Sequence, residues 1–319
     1  MQKLFTQKYY SDKRQNASTK SKALVALVWV SIFWGTTWLA SKQAVTNMPA
    51  LQMAGIRQFI AGFIFIIIFL IKKAPLPKGK QWTTILILSL LNFILSNGLS
   101  TWGIKYISSG LGAIIGAIFP LWLVIISMTK GKHLPQQALI GLLMGFGGVC
   151  IIFYEHLKDF LNADFRFGIF LSLCATISWA FGTLYTKQQV VNFNPYFSLG
   201  FQMLISGATL LFITHATGNA IYYSAIPATS WWAIAYLVLI GSILTFVAYI
   251  YSLQHLPAAL ASVYAYINPI VAVLLGALIL HEKLSLFIAV GGAIIIISVY
   301  LINNSLKEKM ILNPPEPKN

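Results

Sequence analysis

The chain has 319 residues, 58% of them hydrophobic and 9% charged, with a mean hydropathy of +0.76 and a formal net charge of +15. Soluble domains carry roughly 25% charged residues, so this composition excludes an ordinary soluble fold and fits a chain threaded repeatedly through a bilayer. A net charge of this size is compatible with nucleic-acid binding, but its distribution along the chain follows membrane orientation, and no nucleic-acid partner is expected.

Residues 1–22 are polar and basic and read as a disordered cytoplasmic tail. Ten apolar runs follow, at 23–41, 51–71, 82–101, 110–129, 138–154, 167–186, 196–214, 231–252, 258–280 and 284–302. Each is long enough to cross roughly 30 Å of hydrocarbon as a helix, and none alternates as a barrel strand would. Residues 303–319 form a second polar tail. The basic start followed by an apolar run resembles a secretory signal, but the run leads straight into another span, so an uncleaved first helix is expected.

The stretch WGTTWLASKQAV, from Trp34, is echoed by WAFGTLYTKQQV, from Trp179. One offset of 145 residues pairs Trp34 with Trp179, Leu39 with Leu184, Lys42 with Lys187, Gln43 with Gln188, Val45 with Val190 and Gly62 with Gly207. It also sets Arg57 against Gln202, while Pro120 answers Pro269 at a slightly longer offset. The chain is therefore an internal duplication, residues 23–154 and 167–302, of five spans each. An odd number of spans per copy inserts the second copy upside down. The fold class is an all-α membrane protein of ten transmembrane helices arranged as two inverted five-helix repeats.

With the N-terminus inside, sixteen of the 22 basic residues face the cytoplasm, in the two tails, at Lys72, Lys73, Lys78, Lys80, Lys130 and Lys132, and at Lys187. That enrichment places both termini in the cytoplasm of a cell-membrane protein whose surroundings are the lipid bilayer. Cys150 and Cys174 fall within spans five and six and read as apolar packing. Gly112 and Gly116, Gly141, Gly145, Gly147 and Gly148, and Gly291 and Gly292 read as close helix packing within the bundle, a homodimer face being the alternative. Pro120 and Pro269 lie in mid-span and are expected to kink spans four and nine, as a simple bend or as the gate of a central site.

All seven carboxylates, Asp12, Glu155, Asp159, Asp164, Glu282, Glu308 and Glu316, lie in tails or connections, and every His lies at a span end or in a loop. No catalytic residue, metal site or cofactor site can be assembled at depth. The same absence argues against proton coupling, which commonly uses an intramembrane acid. The basic groups that do enter the bilayer are Arg57, some 10 Å into span two at about 1.5 Å per residue, and Lys42 and Lys187 at span ends. Arg57 either snorkels to the headgroups or faces the interior; Lys42 and Lys187 read as interfacial anchors or as a functional basic motif. A small-molecule pocket would draw on Trp34, Trp38, Asn92, Trp102, Trp179, Tyr185, Tyr249, Tyr264, Tyr266 and Asn268, with Ser96 and Asn97 on the same span as Asn92.

The segments FWGTTWLASKQAV, MAGIRQFIAG, SWAFGTLYTKQQV, the INP of span nine and ILHEKLS before span ten resemble the drug/metabolite transporter superfamily, specifically its EamA-type ten-helix members. The resemblance covers Lys22 to Ile302. It implies an inner-membrane carrier with a central cavity that opens alternately to either side and exports amino acids or related metabolites. Trp34, Lys42 and Arg57 match the family's Trp-Gly, Lys and Arg signature. Glu282 matches its acid before the last helix, where it is expected to cap or position that helix. The first half has KGKHLP at the corresponding point and no acid. There is no first-helix Glu of the four-helix multidrug branch, and no deep Lys or Arg in spans nine and ten of the sugar-phosphate kind. Two other readings stay open: a membrane enzyme acting on lipid-linked substrates through Asp159 and Asp164, and a non-transporting scaffold.

Overall fold

The computed structural model describes residues 2–119, 121–122, 125–126, 136–155, 158–188, 193–256 and 264–312. Besides short helical pieces at 121–122 and 125–126, those residues form ten helical segments joined by loops and single 3-10 turns. They are α1 (Gln2–Val45), α2 (Ala50–Ile71), α3 (Lys80–Gly103), α4 (Ser109–Gly116) and α5 (Gln136–Glu155). The second half supplies α6 (Ala163–Gln188), α7 (Pro195–Ala216), α8 (Ala228–His255), α9 (Tyr264–Ile279) and α10 (Leu286–Leu312). Six helical stretches are long and apolar enough to cross a bilayer: 19–45, α2, α3, 163–186, α7 and α8. The apolar parts of α5, α9 and α10 are shorter.

Helix α1 differs from expectation by starting at Gln2, inside the stretch read as disordered. No Pro or Gly occurs before Gly35, so nothing in the sequence stops the helix from extending outward from its apolar part. Helix α10 continues to Leu312 for the same reason, with no Gly after Gly292 and no Pro before Pro314. Where the sequence does carry a start signal, the structure uses it. Asn194 precedes Pro195 and accepts from the backbone N–H of Tyr196 and Phe197, and Ser108 accepts from that of Leu111.

The halves meet in an exchange-symmetric way. Helix α2 packs along α7, and α5 along α10, each against its counterpart. Helix α1 packs on α8 and α9, and α6 packs on α3 and α4, which is one rule with the halves swapped. With five spans per half, that exchange turns one half over relative to the other. Glycines permit the close approaches. A Cβ on Gly62 would strike the backbone of Leu204 and Gly200, and one on Gly207 would lie 2.7 Å from Phe59 Cα. In the α5–α10 contact a Cβ on Gly148 would lie 2.8 Å from Gly291 O, and one on Gly291 2.7 Å from Gly148 O. Gly148 and Gly291, two of the glycines read from their spacing, thus pack inside the bundle, as do Gly62 and Gly207.

Helices α3 and α8 share a feature the sequence did not announce, a run of wide π-type turns at Ser89–Gly98 and at Leu237–Leu244. Such turns loosen the regular carbonyl ladder, and side chains of neighbouring helices use it. Ser178 Oγ donates to Leu91 O at 2.7 Å, Gln58 Nε2 to Phe93 O at 3.3 Å, and Trp34 Nε1 to Gly241 O at 3.2 Å. The outer surface is apolar, with Val25, Phe63, Leu143, Phe212 and Leu278 all more than half exposed, as a lipid-facing surface requires.

Candidate functional site

A cavity lies between the halves, with about 170 Å³ open to the centres of water-sized molecules. Helix α1 contributes Trp34, Thr37, Trp38 and Ser41, and α2 contributes Arg57. Helix α3 lines it from Asn92 to Thr101, α4 with Gly112, Ala113 and Gly116, and α6 with Ser172, Ala175, Thr176 and Trp179. Phe246 of α8 and Tyr264, Ala265, Asn268 and Pro269 of α9 complete the wall.

Aromatic rings gather at one part of the cavity wall. Trp34 stands at the centre, 5.0 Å from Phe246, 4.9 Å from Tyr249, 5.1 Å from Tyr264 and 6.4 Å from Trp179. Tyr264 extends the cluster to Tyr249 at 5.6 Å and to Phe119 at 6.3 Å. Edge-to-face and tilted pairs at such separations are favourable beyond the area they bury. The partners come from α6, α8 and α9 while Trp34 comes from α1, so the cluster joins the two halves.

Trp38 forms a second wall. Its ring lies against Gly112 and Gly116, where an added Cβ would come within 3.0 Å and 2.9 Å of ring carbons. Asn268 precedes Pro269 inside α9; with its amide oriented to satisfy both partners it donates to Ser31 O at 2.7 Å and Tyr264 O at 3.2 Å. Asn97 accepts from Gln58 Nε2 at 2.9 Å, and Gln58 in turn accepts from Ser206 Oγ, tying α3 to α2 and α7.

Arg57 faces the interior and does not snorkel. It is 5% exposed, and its Nε donates to Ser242 Oγ at 2.8 Å, on the wide turns of α8. Gly241 makes room for it, since a Cβ there would lie 3.2 Å from Arg57 Nη2. The equivalent Gln202 is also buried, but its Nε2 donates locally to Ser198 Oγ at 3.0 Å, so the charge belongs to one half alone.

Lys42 is structural in this geometry. Its Nζ donates to the carbonyls of Ile104 at 2.8 Å, Lys105 at 3.3 Å and Ile107 at 2.7 Å, which uses all three ammonium donors at the C-terminal end of α3. Glu282 corrects an expectation. It caps α4 and not the last helix, accepting from Ser109 N and Ser109 Oγ at 2.8 Å each and from Gly110 N at 3.3 Å. The left-handed conformation of His281 (φ 52°) ends α9 and turns Glu282 back toward α4.

Of the residues expected in a pocket, Trp34, Trp38, Asn92, Trp179, Tyr264 and Asn268 line the cavity, as does Pro269. Tyr249 is outside the lining and packs in the aromatic cluster against Trp34 and Trp179. Trp102 points elsewhere and packs on Phe167 at 5.2 Å, and Tyr185 is outside the lining. Pro120 and the side chains of Lys187 and Tyr266 lie outside the described residues. Thr37, Ser41, Ser100, Thr101, Ser172 and Thr176 also line the cavity and were not singled out. Small hydroxyls are common in membrane helices and bond their own helix backbone, so only packing reveals which of them face a cavity.

Comparison with known proteins agrees with this architecture. The EamA-like transporter family matches twice, over residues 21–154 and 166–304. The protein named Uncharacterized transporter YvbV of Bacillus subtilis (strain 168) is 29% identical over 291 residues, 90% of this chain and 93% of its own. Uncharacterized inner membrane transporter YedA of Escherichia coli (strain K12) is 30% identical over 279 residues, 87% of this chain and 89% of its own. A WAT1-related chloroplastic protein of Arabidopsis thaliana is 26% identical over 85% of this chain and 67% of its own. A solved crystal structure shares the fold with a TM-score of 0.63 at 16% identity, covering 89% of this chain and 97% of that one. Two family matches in tandem, two mutually exchanged sets of helix contacts and an apolar outer surface lead to one conclusion: the chain belongs to the EamA-like transporter family and is a multi-pass membrane transporter.

Proposed function

We propose that the protein is a secondary transporter of the cell membrane that moves small metabolites, amino acids or related compounds, out of the cytoplasm by alternating access. The observation that carries this is the cavity between the halves, at whose wall Trp34 of the first half packs against Trp179, Phe246, Tyr249 and Tyr264 of the second. An aromatic cluster built from both halves would separate when they rock apart, while the long α2–α7 and α5–α10 contacts remain as hinges. An open cavity between the halves favours a carrier over a scaffold, whose bundle would be filled. The charge distribution supports cytoplasmic termini.

Transport proceeds by facilitated diffusion or exchange, because no carboxylate among the described residues lines the cavity to relay a proton. In the test, cells lacking the protein are compared with cells expressing the wild type, Trp179→Ala or Asn268→Ala, for release of internal metabolites at matched membrane abundance. Export is expected to vanish in both variants; unchanged efflux in both would remove the cavity as the transport site. Concentrative uptake into proteoliposomes driven by a pH gradient alone would refute the coupling assignment.

A further inference from the structure

Arg57 is the one charged side chain among the described residues that line the cavity. Its Nε is satisfied by Ser242, but its Nη atoms have no hydrogen-bond partner among the described residues. Glu282, the acid the fold brings into the bundle, is committed to the start of α4. A guanidinium at this depth costs a few kcal/mol or more when unpaired, and its planar fork matches a carboxylate in a bidentate pair.

We propose that Arg57 is the anion-recognition residue of the cavity and that the substrate class is a small monocarboxylate with an apolar or aromatic body. This rests on the cavity being the transport site. The rest of the wall supplies what such a molecule needs, the faces of Trp34, Trp38, Trp179 and Phe246 for its body and neutral amides and hydroxyls elsewhere. A single cation suits a monoanion better than a phosphate dianion, for which no second cation lines the cavity among the described residues. With no lining carboxylate there to pair an ammonium, a substrate amino group is tolerated but not required. Ser242 acts as a positioning residue, holding Nε so that the Nη edge is presented to the substrate.

The test is untargeted comparison of the culture medium of cells carrying empty vector, the wild type, Arg57→Gln, Arg57→Lys or Trp179→Ala, at matched abundance of folded full-length protein. Compounds enriched by the wild type are expected to be monocarboxylates. Their enrichment should fall about 10- to 100-fold in Arg57→Gln, the loss of a charged hydrogen-bond pair, and less in Arg57→Lys, which keeps the charge without the fork. Should Arg57→Gln fail to reach the membrane, Arg57→Lys decides, and export equal to wild type overturns the assignment. Enriched compounds that lack an anionic group, or that are phosphate esters, overturn it while leaving the carrier standing. Absence of any compound enriched by the wild type over empty vector overturns the carrier itself, and this assignment with it.

Discussion

Lys42 and Glu282, from opposite halves of the chain, hold the two ends of one short connection. Lys42 sits on the carbonyls of Ile104, Lys105 and Ile107 where α3 ends, and Glu282 sits on the amides of Ser109 and Gly110 where α4 begins. Each charge has the sign its helix end demands. Both charged side chains are thus engaged by helix ends of the first half.

Lys42→Met and Glu282→Gln should each lower stability by about 1.5–3 kcal/mol, the range for hydrogen bonds to charged groups. Thermal unfolding of the detergent-solubilised protein reads this as a lower melting temperature. The double variant should lose less than the sum, because once one end is released the other restrains less. A strictly additive loss would show that the two ends act independently.

Gly276→Ala is expected to behave like loss of Glu282. A Cβ at this position would collide with Glu282 Oε2 and come within 2.9 Å of Ser109 Oγ. Melting of Gly276→Ala, Glu282→Gln and the double variant tests this: the second change should add little to the first.

Gly207→Val should abolish folding or membrane abundance, since its side chain would enter the backbone of α2 at Phe59. Gly147→Val is the control, because nothing lies within 4 Å of a Cβ there. Fluorescence-detected gel filtration of tagged variants should show a monodisperse peak for the second and none for the first.

Gly112→Val should push the Trp38 ring off its bed and into the cavity. Export should fall while abundance is kept, and equal transport would mean that Trp38 does not border the substrate path.

Lys72→Cys and Asp159→Cys, in a background with Cys150 and Cys174 replaced by Ala, should react with an impermeant thiol reagent from opposite sides of the membrane. Lys72 follows two spans and Asp159 follows five. Labelling of both from the same side would contradict the inverted arrangement.

The sequence by itself determined that the chain crosses a membrane, that it is written twice, and that the copies oppose each other in orientation. Those properties depend on apolar run length, recurrence and an odd count of spans, all of which are local or arithmetic. It also marked Trp34, Trp179, Tyr264 and Asn268 as candidates, because large aromatics and amides in hydrocarbon need partners. Tertiary structure alone decided that Arg57 turns inward to Ser242, that Lys42 spends its donors on helix ends, and that Glu282 reaches across to α4 and not to its own neighbour. A long charged side chain near a span end has several energetically comparable destinations, water, headgroups, a helix terminus or a cavity, and the choice among them is made by the helix that packs beside it. The wide turns of α3 and α8 are of the same kind: their carbonyls are satisfied by Gln58, Ser178 and Trp34 from other helices, so the signal for them is in the packing and not in the segment itself.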